Sequence, residues 1–147
     1  MSKASVAPKL TILLAKLNNV ISSGHFVLAG GTALAIQMGH RISVDIDLFT
    51  PKDFSPDQIF FKLSKLSLKY VVQQESPGSL TLIIEGVKVS MFHYPYPFIE
   101  KTTKVHGVSV AGILDIAAMK VIAVCQRGTK RDFVDLYFIL REIPFRR

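Results

Sequence analysis

A short apolar run, Phe26 to Ala29, ends in Gly30-Gly31-Thr32, and Asp45 and Asp47 follow one residue apart among Val44, Ile46 and Leu48. Glycines carry no Cβ, so backbone N–H groups at such a turn can approach a phosphate, and Thr32 adds a hydroxyl at the start of the helix expected next. Carboxylates at i and i+2 on a strand point to one face. Side by side near apolar residues they repel and are costly unless a cation compensates them. Mg²⁺ accepts one or two such oxygens together with phosphate oxygens and water. The order, turn then acid pair, is what a Mg²⁺-assisted phosphate site requires. The plainer alternatives are an ordinary strand-to-helix turn and a solvent-facing strand edge. The apolar flanks of the acids argue for a core strand and so for metal. No Gly-Lys-Ser/Thr follows the glycines, which excludes a Walker A loop. Phe49 stands where a phosphoaspartate-type hydrolase carries threonine, which argues against that class.

Other chemistry-bearing residues are more ambiguous. Arg41 can pair with Asp45 or Asp47, or reach a triphosphate; a surface ion pair explains it equally well. Lys120 falls inside an apolar helical stretch, where a lysine either snorkels or has a charged partner such as a phosphate or carboxylate. Asp132 reads equally as part of a helix cap begun by Thr129 and as a functional acid. Asp135, three residues on, is harder to explain by capping. His25, His93 and His106 show no metal-ligand spacing and read as structural.

The elements that must position these residues are legible from periodicity. Leu10, Leu13, Leu14, Leu17 and Ile21 predict one amphipathic helix over Pro8–Ile21. Phe26–Ala29 reads as a strand, Thr32–Met38 as a helix, and Ile42–Phe49 as an alternating strand. Ser55-Pro56 starts a helix whose core face is Ile59, Phe60, Leu63 and Leu66. Strands are expected over Lys69–Gln74, Leu80–Ile84 and Val87–His93, the last two joined by a tight Glu85-Gly86 turn. A short segment, Val108–Val110, precedes two helices. The first, Ile113–Gln126, is expected to be buried. The second, Lys130–Glu142, is expected to pack through Phe133, Leu136, Tyr137 and Leu140. The fold class is α+β (α/β), a mixed sheet flanked by helices, in one domain over residues 1–147 whose segment 110–147 is helical.

Composition sets the outer limits. With 147 residues, 49% hydrophobic and 20% charged, the chain is globular rather than disordered. Eighteen Lys and Arg against eleven acids give a net charge of +7, which favours nucleotides, RNA or an acidic partner. Cys125 is the only cysteine, which rules out an intrachain disulfide and a thiolate zinc cluster. No apolar run reaches transmembrane length and no signal-peptide pattern opens the chain, so a cytoplasmic location without membrane contact is expected.

Taken together, LAGGTALAIQMGHRISVDIDLF and DIAAMKVIAVCQRGTKRDFVDLYFIL resemble the nucleotidyltransferase superfamily, specifically the AbiEii-type toxins of toxin–antitoxin and abortive-infection systems. The resemblance implies a nucleotidyltransferase-like mixed sheet. It implies that Gly30, Gly31 and Thr32 hold the triphosphate, that Asp45 and Asp47 hold Mg²⁺, and that Lys120, Asp132 and Asp135 match the basic and acidic positions of the C-terminal motifs, with Arg41 the further nucleotide-binding candidate from the residues themselves. The implied activity moves a nucleoside monophosphate from an NTP to an acceptor, RNA such as tRNA or a protein, with a cognate antitoxin as partner. One position departs from the pattern. Many superfamily members place a third carboxylate on a later strand, and here Ser90 stands there. Serine is neither a strong base nor an anionic ligand at neutral pH. Either Asp132 or Asp135 takes the place of that acid, or the chain is a degenerate module that binds NTP or a partner without turnover. A basic RNA-binding domain with no nucleotide site is a third reading, opposed by the acid pair.

Overall fold

A computed structural model describes residues 7–38, 44–105, 107–126, 134–135, 137–139 and 141. The leucine stripe near the N-terminus is buried as its spacing requires, but it spans two helices, α1 (Pro8–Lys16) and α2 (Asn18–Ser23). The backbone loosens at Leu17 (φ −88°, ψ 0°), yet its N–H still bonds the Leu13 carbonyl, so the apolar face runs on across the break. Strand β1 (Val27–Ala29) passes directly into α3 (Gly30–Met38). Then come β2 (Ile46–Thr50), α4 (Pro56–Lys65), β3 (Tyr70–Ser76), β4 (Ser79–Ile84), β5 (Val87–His93), β6 (Thr103–Val105), β7 (Val108–Val110) and α5 (Ile113–Gln126). Residues 134–135, 137–139 and 141 are helical.

The strands form one seven-stranded sheet in the order β3-β4-β5-β2-β1-β7-β6. Pairing is parallel for β2 with β5 and for β1 with β7, and antiparallel elsewhere. This is the mixed sheet with helices that the periodicity implies. Alternation along the central strands splits the sheet into two unlike faces. Ile46 and Leu48 of β2, Val89 and Met91 of β5, and Leu80, Leu82 and Ile84 of β4 are wholly buried. They join one continuous core with Leu10, Leu13 and Leu17 and with Ile59 and Leu63 of α4. The opposite face carries Asp47 and Phe49 of β2 and, in register with them, Ser90 and Phe92 of β5.

Several expectations are corrected by this packing. The second strand begins at Ile46, so Val44 is unpaired and 49% exposed rather than core. Ser55 occupies the N-cap of α4 without a side-chain cap bond, leaving Pro56 and Asp57 to start that helix. Leu66 lies beyond the last turn of α4 and is exposed, and Leu114 and Val121 break the burial expected of α5. In the last helical segment the inward residues are Asp135 and Ile139, four apart, and this turns Tyr137 outward. Phe133, Leu136 and Leu140 lie outside the described residues. Strand β6, short and mostly exposed, carries too little apolar alternation to announce itself in the sequence.

The Glu85-Gly86 turn is as expected and has a definite conformation. Both residues have positive φ (49° and 80°), the type I′ geometry that matches strand twist. A Cβ on Gly86 would meet nothing within 4 Å, so any cost of filling it is backbone strain alone. Gly86→Ala is therefore expected to lower stability by about 1 kcal/mol without altering the native spectrum, as read by urea denaturation.

Candidate active site

The first strand and α3 meet at Gly30, and Ala29 just before it pairs with Asp47 on β2. Gly30 has φ +69°, a left-handed conformation that disfavours side chains. A Cβ there would lie 3.1 Å from both Cβ and Cγ of Asp47 and would overlap its Oδ2. The bare backbone of Gly30 is thus what lets the Asp47 carboxylate sit at the start of a helix. Helix starts carry unsatisfied N–H groups and partial positive charge, which stabilise an anion.

A second tie lies beside the first. Thr32, buried in the first turn of α3, donates its hydroxyl to the main-chain carbonyl of Asp45. Asp45 stands one residue ahead of β2 and so outside the ladder that fixes Asp47. The Thr32 bond supplies the constraint that strand pairing does not. Gly30, Gly31, Thr32, Asp45 and Asp47 are thereby brought to one place. Arg41 and Asp132 lie outside the described residues.

Asp47 pairs in register with Ser90 across the parallel β2–β5 ladder. Ser90 is 5% exposed, and its Oγ lies 3.4 Å from Oγ1 of Thr81 on β4, its antiparallel neighbour. The position opposite the second acid is therefore a neutral hydroxyl pair. Among the described residues no group of three or more His, Cys, Asp or Glu is placed to hold a metal. The half-buried Asp47 carboxylate at the helix start, with half-buried Asp45 two residues away, fits a hard divalent cation that keeps water and substrate oxygens in its shell rather than an all-protein cage.

Lys120 of α5 meets Asp135 at 2.9 Å, and their side chains are only 7% and 0% exposed. The charged partner that a lysine in this apolar helix requires is thus a carboxylate from the last helical segment. The N-terminus of α5 is braced by residues that sequence reasoning missed. Asp115 accepts the Ile99 and Glu100 N–H groups at 2.6 and 2.9 Å, and Glu100 Oε1 in return accepts Leu114 N–H at 2.9 Å. The available signal was an acid in the first turn of an otherwise apolar helix. Gln37 of α3 donates to the Ala111 carbonyl at 3.0 Å, joining the site helix to the start of α5.

An aromatic cluster was also missed. Phe49 stacks on Phe92 with centroids 5.1 Å apart, and Tyr94 stands edge-on to Phe49 at 5.8 Å. Burial raises the Tyr94 phenol above the ordinary tyrosine value, and the Asp115 carboxylate and Tyr96 push the same way.

A mixed sheet in which a glycine turn opens a helix beside an acid-bearing strand is a nucleotidyltransferase-like fold, and solved structures agree. JHP933 from Helicobacter pylori matches with a TM-score of 0.63 at 18% identity, over 93% of this chain and 68% of that one. The Megavirus polyadenylate synthase matches at 0.60 and 11% identity, over 90% of this chain and 31% of that one. ANT(2″)-Ia, in complex with adenylyl-2″-tobramycin, matches at 0.61 and 12% identity, over 91% and 89%. Residues 11–78 match the family described as Nucleotidyl transferase AbiEii toxin, Type IV TA system. The resemblance read from the sequence is borne out by that match. An uncharacterized protein of Aquifex aeolicus (strain VF5), aq_aa25, is 43% identical over 134 residues, covering 86% of this chain. The chain spans 64% of the length of that relative.

Two outcomes follow from the geometry. Lys120→Met takes the ammonium away from the fully buried Asp135 carboxylate and is expected to cost about 3 kcal/mol in denaturant melts, part of it recovered by the double change Lys120→Met/Asp135→Leu. The raised Tyr94 value contributes stability that is full below the ordinary tyrosine value and lost as pH rises through its own higher one. Melting temperatures measured from about pH 9 upward should fall less steeply in Tyr94→Phe than in the parent.

Proposed function

We propose that this chain is a Mg²⁺-dependent nucleotidyltransferase that moves a nucleoside monophosphate from an NTP to an acceptor, RNA such as tRNA or a protein. On this reading it is the toxin of a toxin–antitoxin or abortive-infection system, acting in the cytoplasm with a cognate antitoxin as partner. One observation carries the reading: the Asp47 carboxylate lies against the bare backbone of Gly30 at the start of α3, with Asp45 tied to Thr32 beside it. The AbiEii match over residues 11–78 supports the toxin assignment.

In this mechanism the N–H groups of Gly30 and Gly31 bind the triphosphate, and Arg41 adds a cation to it. Asp45 and Asp47 would hold Mg²⁺, which supplies neutralisation of the triphosphate and of the charge that develops on pyrophosphate. The acceptor oxygen attacks the α-phosphorus in line; its bond to phosphorus forms as the bond to pyrophosphate breaks. Lys120 and Asp135 hold the last helical segment on α5, and Asp132 is assigned the acid of the C-terminal motif by the family resemblance.

Ser90 favours a second reading. A neutral hydroxyl in register with Asp47 cannot take the acceptor's proton at neutral pH, as a third carboxylate would. A degenerate module would bind NTP and a partner without turnover.

The two readings part in one experiment. Purified protein incubated with each labelled NTP, Mg²⁺ and total RNA is expected to transfer label, and Asp47→Ala to abolish transfer by a factor of about a hundred or more. Calorimetric NTP binding with no label transferred in either protein would sink the enzyme and leave the binding module.

A further inference from the structure

Asp47 and Phe49 share one face of β2, and Ser90 and Phe92 share the same face of β5, because each pair is two residues apart on paired strands. Phe49 and Phe92 are themselves cross-strand partners with stacked rings. From this pair the aromatic contacts continue outward. Tyr94 stands against Phe49, and Tyr96 and Phe98 stand against Tyr94 at 5.3 and 5.8 Å. Exposure rises along the same path. Phe49, Phe92 and Tyr94 are half-buried, while Tyr96 is 64% exposed. Core packing explains Phe49 and Phe98 but not Tyr96, which joins no part of the core. The outer rings lie in Tyr94-Pro95-Tyr96-Pro97-Phe98, where two prolines fix the backbone and reduce the ordering cost of presenting a ring.

The geometry points to a base-stacking track, Phe92–Phe49–Tyr94–Tyr96, that takes the unpaired bases of a single-stranded RNA acceptor beside Asp47. A mononucleotide has a single base to stack, whereas these rings form a series leading away from the carboxylate. Stacking on aromatic faces is tolerant of sequence and needs bases free of a duplex. The electrostatics suit a polyanion. The chain carries +7 overall, and Lys52 just after β2, Lys88 on the acid face of β5, and Lys101 and Lys104 beyond the ring segment are exposed. Of the nearby acids, Glu100 caps α5 and Asp115 binds the Ile99 and Glu100 amides, while Asp53 lies 3.4 Å from His93 with its side chain in solvent. This inference rests on the reading of Asp47 as the reaction centre only for its direction, not for the binding itself.

The test is fluorescence anisotropy of a labelled single-stranded oligoribonucleotide on the full chain, with its duplex as competitor and ATP binding followed separately by calorimetry. Tyr96→Ala is expected to weaken RNA binding about tenfold, Tyr96→Phe to preserve it, and the duplex to compete poorly. Equal RNA affinity in Tyr96→Ala and the parent, no RNA binding by the parent, or equal competition by the duplex would overturn the proposal. So would a loss confined to ATP affinity, which would make the surface a mononucleotide subsite. If the parent neither binds nor turns over NTP but Tyr96→Ala still loses RNA, the track stands and the transferase reading falls. Label transfer with RNA affinity indifferent to Tyr96 gives the reverse.

Discussion

The whole site depends on a missing side chain. Asp47 occupies the volume that a Cβ on Gly30 would fill, and Gly30 adopts a φ of +69° that a side chain would resist. Two separate constraints, conformational and steric, converge on one residue. Because β1 runs into α3 at that point, the same residue sets where the helix starts, and so where its first N–H groups lie relative to the acid. The Thr32 bond to Asp45 carries the arrangement one step further, outside the sheet ladder. The Asp47 carboxylate thus lies against the backbone of the turn, and the main chain of Asp45 is tied to the same turn through Thr32.

The sheet explains why that cost is tolerable. One face of β2 and β5 is a continuous aliphatic layer of Ile46, Leu48, Val89 and Met91, each fully buried. The other face is released from core duty and carries acids, hydroxyls and rings. A one-residue slip between β2 and β5 would send every member of one face to the other, so the burial of four aliphatic side chains enforces the alignment of Asp47 with Ser90. Packing on one side of the sheet thereby sets chemistry on the other.

Much of this was legible in the sequence because it is written in local spacing. The glycine turn, the acid pair, the Glu85-Gly86 hairpin and the bounds of α5 depend on neighbours within a few residues, and the solved structures that match share the fold those elements imply. What could not be read depends on partners distant in the chain. Val44 reads as core by alternation, yet no strand pairs with it. Tyr137 reads as inward by helical period, yet the Lys120–Asp135 bond turns the helix the other way. The aromatic contacts join Phe49 of β2 with rings more than forty positions away, and no window on the sequence spans that.

The parallel pairing of β2 with β5 has a consequence in time as well as in space. The antiparallel run β3-β4-β5 closes through tight turns and can form early, from local contacts. Its docking onto β2, and that of β7 onto β1, joins strands far apart in the chain, which is the slow kind of event in sheet assembly. Until that docking occurs, Asp47 has neither its serine neighbour nor its ring-bearing flank. On a growing chain the glycine turn and the acids emerge first, but the surface beside them is completed only by segments made later. The order of synthesis therefore delays the finished site until most of the fold is in place.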